Sequence, residues 1–303
     1  MRTISVSDLP APGHSPSGTA LLGRELYVAN RASDNVSIIA DGAVRHVVPV
    51  GENPSAVLAD PEAGRAFVLC ELGQAIAVLE GPSLIATWSL PARAESLALV
   101  EKELWVGTAD GYIVILSPQD GSVLDEVQLS VKGSVFTMVV SPQGKTAYAA
   151  TYGRTHVIDL LSHKETARVS LNSYRTLGIS PCGRWLYVND YDSAEGQFLA
   201  VLDAASLRVL QRIPIPQDPG PVVVHPSDGR LYLLSTTSDR LVVLDGKSYE
   251  RKATLLVGRR PSHLSLDAEA GRLYVANSDG DSVAIIDAQS VAILDTVPLA
   301  MRL

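Results

Sequence analysis

Apolar residues in this chain come in short runs broken by polar turns. Runs at 56–59 (AVLA), 97–100 (LALV), 138–140 (MVV) and 222–224 (VVV) each lead into a turn, and a second apolar run built around an aromatic residue follows. Continuous Val, Ile and Leu, in place of strict alternation, predict strands buried on both faces. No long stretch has helical periodicity, which excludes helical solenoids and coiled coils.

The pattern repeats. LYVANRASDNVSII at 26–39 and LYVANSDGDSVAII at 273–286 share nine of fourteen positions, although 247 residues separate them. The aromatic of the second run recurs as Tyr27, Phe67, Trp105, Tyr148, Tyr187, Tyr232 and Tyr274. Six steps across 247 residues average about 41, the repeat length of a four-stranded propeller blade. Each unit reads as an apolar first strand, a turn ending in Gly and a basic residue (PEAGR, PQGK, PCGR, PSDGR), the aromatic strand, a polar loop, a third strand and a fourth. Glycine in the first turn supplies the positive φ of a bulged hairpin. A parallel β-helix has shorter coils without hairpins. The reading is therefore all-β: a seven-bladed β-propeller of four-stranded antiparallel blades, one domain over 1–303, with a ring closed by strands from the two termini. Residues 3–6 and Ala292–Pro298 both read as outer strands, one as the fourth strand of the last blade and one beside it.

The pattern P-x…G-[RK]-x-L-Y-V-x-N…V-x-[IV]-[ID] resembles the YVTN-type β-propeller repeat over roughly residues 11–299. It is clear in the first, fifth, sixth and seventh units and degraded at FVLCE and WVGTA, where the Asn is missing. The resemblance implies a bacterial-type, WD-like propeller. It implies little about function, since such propellers serve as enzymes, electron-transfer partners and binding platforms.

Composition narrows the choices. The net charge of −8 argues against nonspecific phosphate-backbone binding, so nucleic acid is not an expected partner. No run approaches a spanning helix, and MRTISVSDLP lacks the apolar stretch of a signal peptide. Those features predict a cytoplasmic monomer, or a periplasmic or secreted one if a leader has been removed. Cys70 and Cys182 have no metal-ligand spacing and predict free thiols. The histidines are scattered, which argues against a multi-histidine metal site. NSDGDS at 277–282 resembles the start of a calcium loop but lacks the later bidentate Glu. No nucleophile elbow, phosphate loop or dinucleotide fingerprint is present, so neither metal nor cofactor is expected.

Chemistry is expected at the channel mouth, built by the loops entering each blade and those joining second to third strands. Ser17, Ser55, Glu95, Phe136, Arg175, Gly220 and Ser262 occupy one equivalent position, where Glu95 and Arg175 stand out among mostly small residues. Glu95 and Arg175 could pair. Glu95, Tyr174 and His263 are acid–base candidates. Arg93, Arg154 and Arg175 could hold an anion by forked hydrogen bonds. Glu71, Tyr152, Asn189, Asp190 and Tyr191 complete the candidate ligand-binding set, and the long loop 189–197 suggests a lid or a partner contact. A binding or scaffold role follows, for a small, acidic molecule or a protein. The alternative is a cofactor-free lyase, lactonase or isomerase.

Overall fold

Each apolar run forms one strand, and each group of four consecutive strands forms one sheet. The computed structural model describes residues 12–171, 177–192, 194, 196–215 and 218–300. Seven four-stranded antiparallel sheets span 16–49, 54–89, 94–128, 137–170, 177–214, 219–256 and 261–298, and strand order follows chain order in every one. These are the seven expected blades, numbered one to seven below. The described helical structure is the single 3-10 turn Ser278–Gly280. No helix among the described residues is long and apolar enough to cross a membrane.

The second strands explain why the blades stack. In blade one, Tyr27 and Ala29 pack with Val57, Ala66 and Val68 of blade two. The alternate residues Leu26 and Val28 pack with Val283, Ile285 and Val297 of blade seven. A strand with apolar residues at every position is thus buried on both faces, each face against a different neighbour. Seven such clusters fill the seven interfaces, and the last, between blades seven and one, closes the ring.

Four aromatic residues add a polar anchor to this packing. Tyr148 Oη donates to Ala204 O at 3.1 Å and Tyr232 Oη to Ala288 O at 2.8 Å. Tyr27 Oη reaches Gly81 O at 3.4 Å, and the Tyr187 ring meets the edge of Tyr249 at 6.2 Å. All four partners lie in the turn between third and fourth strands of the following blade. Burial pushes the Tyr187 phenol well above its ordinary range, with the Tyr249 hydrogen bond adding to the effect. At the same rim Arg65 donates to Pro118 O and Gln119 O, and Arg230 donates to Ala288 O and Gln289 O. In blades two and six the basic residue of the Gly-Arg turn is therefore a clasp on the next blade.

Closure uses both ends of the chain. Ala292–Pro298 is the fourth strand of blade seven, paired with Ser282–Asp287, as expected. Residues 3–6 lie outside the described residues. All four strands of blade seven come from 261–298, so the two ends meet by packing and by backbone and side-chain hydrogen bonds between blades. Gly13 N donates to Leu299 O at 3.1 Å, and Ser262 Oγ donates to Pro16 O at 2.7 Å.

Both cysteines are free. Cys70 is buried at the end of a second strand, where burial pushes its thiol up. Cys182 is exposed in the turn after the first strand of blade five, and the Ser180 hydroxyl, with the Arg184 backbone, holds its thiol below the ordinary range.

Tyr232→Phe keeps the apolar contact and deletes one buried hydrogen bond to Ala288 O. It should lower unfolding free energy by about 1–2 kcal/mol without changing the blade content seen by circular dichroism. Urea melts of the two proteins test this, and coincident curves would remove the anchor from the account.

Candidate functional site

Loops entering each blade and loops leaving the second strand meet on one face. They are joined by backbone bonds: Arg31 N to Ser15 O, Glu71 N to Asn53 O and Ala109 N to Arg93 O. A second joint recurs between neighbouring blades. Asp34, Asp239 and Asp281 each stand seven positions after their blade's aromatic, each with φ between 43° and 58°. Their carboxylates accept the backbone N–H of Asn53, Arg260 and Ser15 in the next blade, at 2.8, 2.7 and 2.8 Å. Asn and Asp tolerate this left-handed geometry better than other side chains. The joint carrying Ser15 closes the ring.

At the start of the first strands the expected equivalence holds in register. Ser17, Ser55, Glu95 and Ser262 are each the extra residue of a bulge, opposite the end of the second strand. Ser17 Oγ donates to Pro54 O and Ser262 Oγ to Pro16 O, so a small hydroxyl here stitches one blade to the next. Glu95 replaces that hydroxyl in blade three.

Glu95 belongs to a chain of charges across blades one to three. Arg93 Nη2 lies 2.7 Å from Glu95 Oε1 and 2.7 Å from Glu71 Oε1. Arg31 Nη2 holds the other Glu71 oxygen and its Nε donates to Asn53 Oδ1 at 2.9 Å. The Glu71 side chain is only 8% exposed, against 45% and 50% for the two arginines. Two guanidiniums thus neutralise two carboxylates. Glu71 and Arg93 do come together, but as partners of each other.

The other predicted residues scatter. Tyr174 and Arg175 fall within 172–176, outside the described residues, so the expected Glu95–Arg175 pair has only its Glu95 half described, and Arg93 holds that half. Arg154 opens the third strand of blade four, opposite Thr151 and Ser170, in a different blade from Arg93. Asp190 is buried and turns outward to Arg212 Nε of the fourth strand at 2.9 Å. Asn189 is buried, while Tyr152 and Tyr191 are exposed on the loop face. The segment 189–197 is a longer hairpin: Trp185–Asp192 pairs with Gly196–Asp203 up to Asp192 opposite Gly196.

His263 lies on the first strand of blade seven, beside blade one. Its Nδ1 accepts from Thr19 N at 3.2 Å and lies 3.0 Å from Thr19 Oγ1. Accepting a backbone N–H fixes Nδ1 as the unprotonated nitrogen. Burial lowers its pKa to about 4, so the ring is neutral at physiological pH.

A concavity of this face lies over blades six, seven and one. It is a depression of ≈ 730 Å³, within the range of small-molecule pockets. Blade one contributes His14 and Ser15; blade six, Asp218 and Asp239; blade seven, Arg259, Arg260, Asp279 and Asp281. His14 Nδ1 lies 2.9 Å from Asp281 Oδ2, so the joint that closes the ring also orients an imidazole at the edge of the depression. The loops are legible from the repeat, and Asp279 and Asp281 stand out in the sequence only within the calcium-like NSDGDS stretch, whereas His14, Asp218 and Asp239 do not stand out at all. The signal available for Asp281 was its offset of seven from the aromatic, shared with Asp34 and Asp239. Among the described residues no group of three or more His, Cys, Asp or Glu is arranged to hold a metal ion.

No protein-family model matches this chain, and no curated protein matches it. Among solved structures it is similar to a chain of Kuenenia stuttgartiensis hydrazine synthase, with a TM-score of 0.84, 16% identity, and coverage of 95% of this chain and 99% of that one. Likeness at that identity shows the propeller fold.

Two outcomes follow. Arg93→Ala leaves Glu71 and Glu95 each short of one cation and should cost about 1–2 kcal/mol, tempered by the exposure of the guanidinium. The same substitution in a Glu71→Gln background should cost measurably less, and a double-mutant cycle that is additive would show that the charges are uncoupled. The second outcome concerns pH. An unfolded chain protonates His263 near pH ~6.5, whereas the folded ring resists protonation down to about 4. The folded state should therefore lose stability as pH falls from about 6.5 towards 4, with no further loss from this group below that. His263→Gln should flatten this part of the profile, and urea midpoints that differ between the two proteins by the same amount at every pH would refute it.

Proposed function

We propose that this protein is a binding propeller whose channel mouth holds a small charged molecule or a protein partner. The observation that carries this reading is the ≈ 730 Å³ depression on the loop face, ringed by charged side chains from three blades. Exposed Leu72 and Tyr152 in turns, and Tyr191 near the tip of the blade-five hairpin, add apolar surface of the kind protein contacts use. The charge chain through Glu71 and Arg93 supports a rigid platform more than an anion clamp, because its cations are already matched.

A second reading, a cofactor-free lyase, lactonase or isomerase, takes its support from His14. An imidazole oriented by a carboxylate beside a concavity is the arrangement a general base requires. Glu95 is tied to Arg93, and His263 gives its lone pair to Thr19, so these two are weaker acid–base candidates than the sequence suggests.

Native mass spectrometry of the purified protein, followed by hydrogen exchange with any released ligand added back, tests the binding reading. Protection should concentrate in loops 12–17, 218–222, 258–263 and 277–282. Protection confined to the opposite face would overturn it. His14→Gln separates the two readings, since it should leave a binder's affinity within about threefold but abolish turnover by an enzyme.

A further inference from the structure

Of the arginines expected to hold an anion, Arg175 lies outside the described residues and Arg93 is engaged by Glu71 and Glu95, whereas the depression over blades six, seven and one has the opposite character. Four carboxylates border the depression against two guanidiniums. Both guanidiniums are engaged on their own blade: Arg259 donates to the Asp279 backbone carbonyl, and Arg260 Nη1 lies 3.8 Å from Asp279 Oδ1. Asp281 is also accounted for, with one oxygen on Ser15 N and the other on His14.

What remains on the blade-six wall is negative and accepting. Asp239 spends Oδ1 on Arg260 N, which leaves its second oxygen for a ligand. Asp218 is exposed, lines the same depression and takes part in none of the described ion pairs. Opposite them, His14 turns Nδ1 to Asp281 at 2.9 Å, and in the tautomer that carries its proton on Nδ1 the second nitrogen, Nε2, is an acceptor. A carboxylate entering this space would meet uncompensated carboxylates and an imidazole acceptor. An ammonium or guanidinium would meet acceptors on both sides and reduce the excess of negative charge.

We infer that the depression is a site for a cationic nitrogen group, with Asp218 and Asp239 supplying the charge and His14 Nε2 an accepting contact. The source can be a small amine or a Lys or Arg side chain on a partner's peptide. The inference rests on the proposed binding role of the mouth and replaces the acidic ligand with a basic one.

Calorimetry on the intact protein tests it with four probes: 1,5-diaminopentane, glutarate, a Lys-rich octapeptide and its Glu-rich counterpart. The cationic probes should bind, and binding should weaken as salt is raised. The combined variant Asp218→Asn/Asp239→Asn keeps the amide acceptor for Arg260 N and should weaken cation binding about tenfold or more. His14→Phe should weaken it by a smaller factor, about threefold. Binding of the diamine as tightly as the peptide identifies a small amine as the occupant, and a clear preference for the Lys-rich peptide identifies a protein. If glutarate or the Glu-rich peptide binds and the cations do not, the inference falls while the binding role of the mouth stands. It falls equally if the cations bind but the Asp218/Asp239 variant binds them unchanged. If none of the four binds at millimolar concentration, the cation site is overturned, and the binding role of the mouth then depends on the exchange experiment alone.

Discussion

The structure depends on second strands that must be apolar on both faces. Tyr27 faces blade two while Leu26 and Val28 beside it face blade seven, and every blade repeats the arrangement. Burying one such side chain stabilises by about 1.5–3 kcal/mol, but only if a neighbour is present on each side. An isolated blade would leave both faces in water, so the ring is the smallest arrangement that satisfies all seven. The tyrosine hydroxyls turn this apolar stacking into a defined distance, because each must reach a carbonyl or ring in the next blade's outer turn.

That rigidity shapes the loop face. Asp34, Asp239 and Asp281 serve first as joints between blades, and any ligand chemistry is built on what they leave over. Asp281 illustrates the economy: one oxygen closes the ring through Ser15 and the other orients His14. Charge is distributed unevenly around the mouth. Blades one to three carry a matched chain of two arginines and two glutamates, whereas over blades six, seven and one four carboxylates border the depression against two guanidiniums. A matched chain contributes shape and order, whereas exposed, unmatched charge sets the sign of the field over that part of the mouth.

Much of this architecture was legible in the repeat. The spacing of Tyr27, Phe67, Trp105, Tyr148, Tyr187, Tyr232 and Tyr274 located every second strand, and the bulge positions of Ser17, Ser55, Glu95 and Ser262 followed from the same alignment. The hairpin 189–197 was harder, because polar residues such as Asn189 and Asp190 read as a loop while cross-strand pairing with Gly196–Leu199 makes them strand. The site was harder still. Glu71 looked like one ligand contact among several, and nothing in its local sequence reveals that Arg31 and Arg93 from the neighbouring blades converge on it.

The amino-acid sequence by itself determined the blade count, the strand order and the face on which loops gather, because these follow from local periodicity and turn chemistry repeated along the chain. Only the tertiary structure decided which charges are spent and which are free. His14 and Asp281 are 267 residues apart, and Arg93 meets Glu71 across a blade boundary; such pairings depend on where the closed ring brings distant loops, and no local pattern encodes that distance.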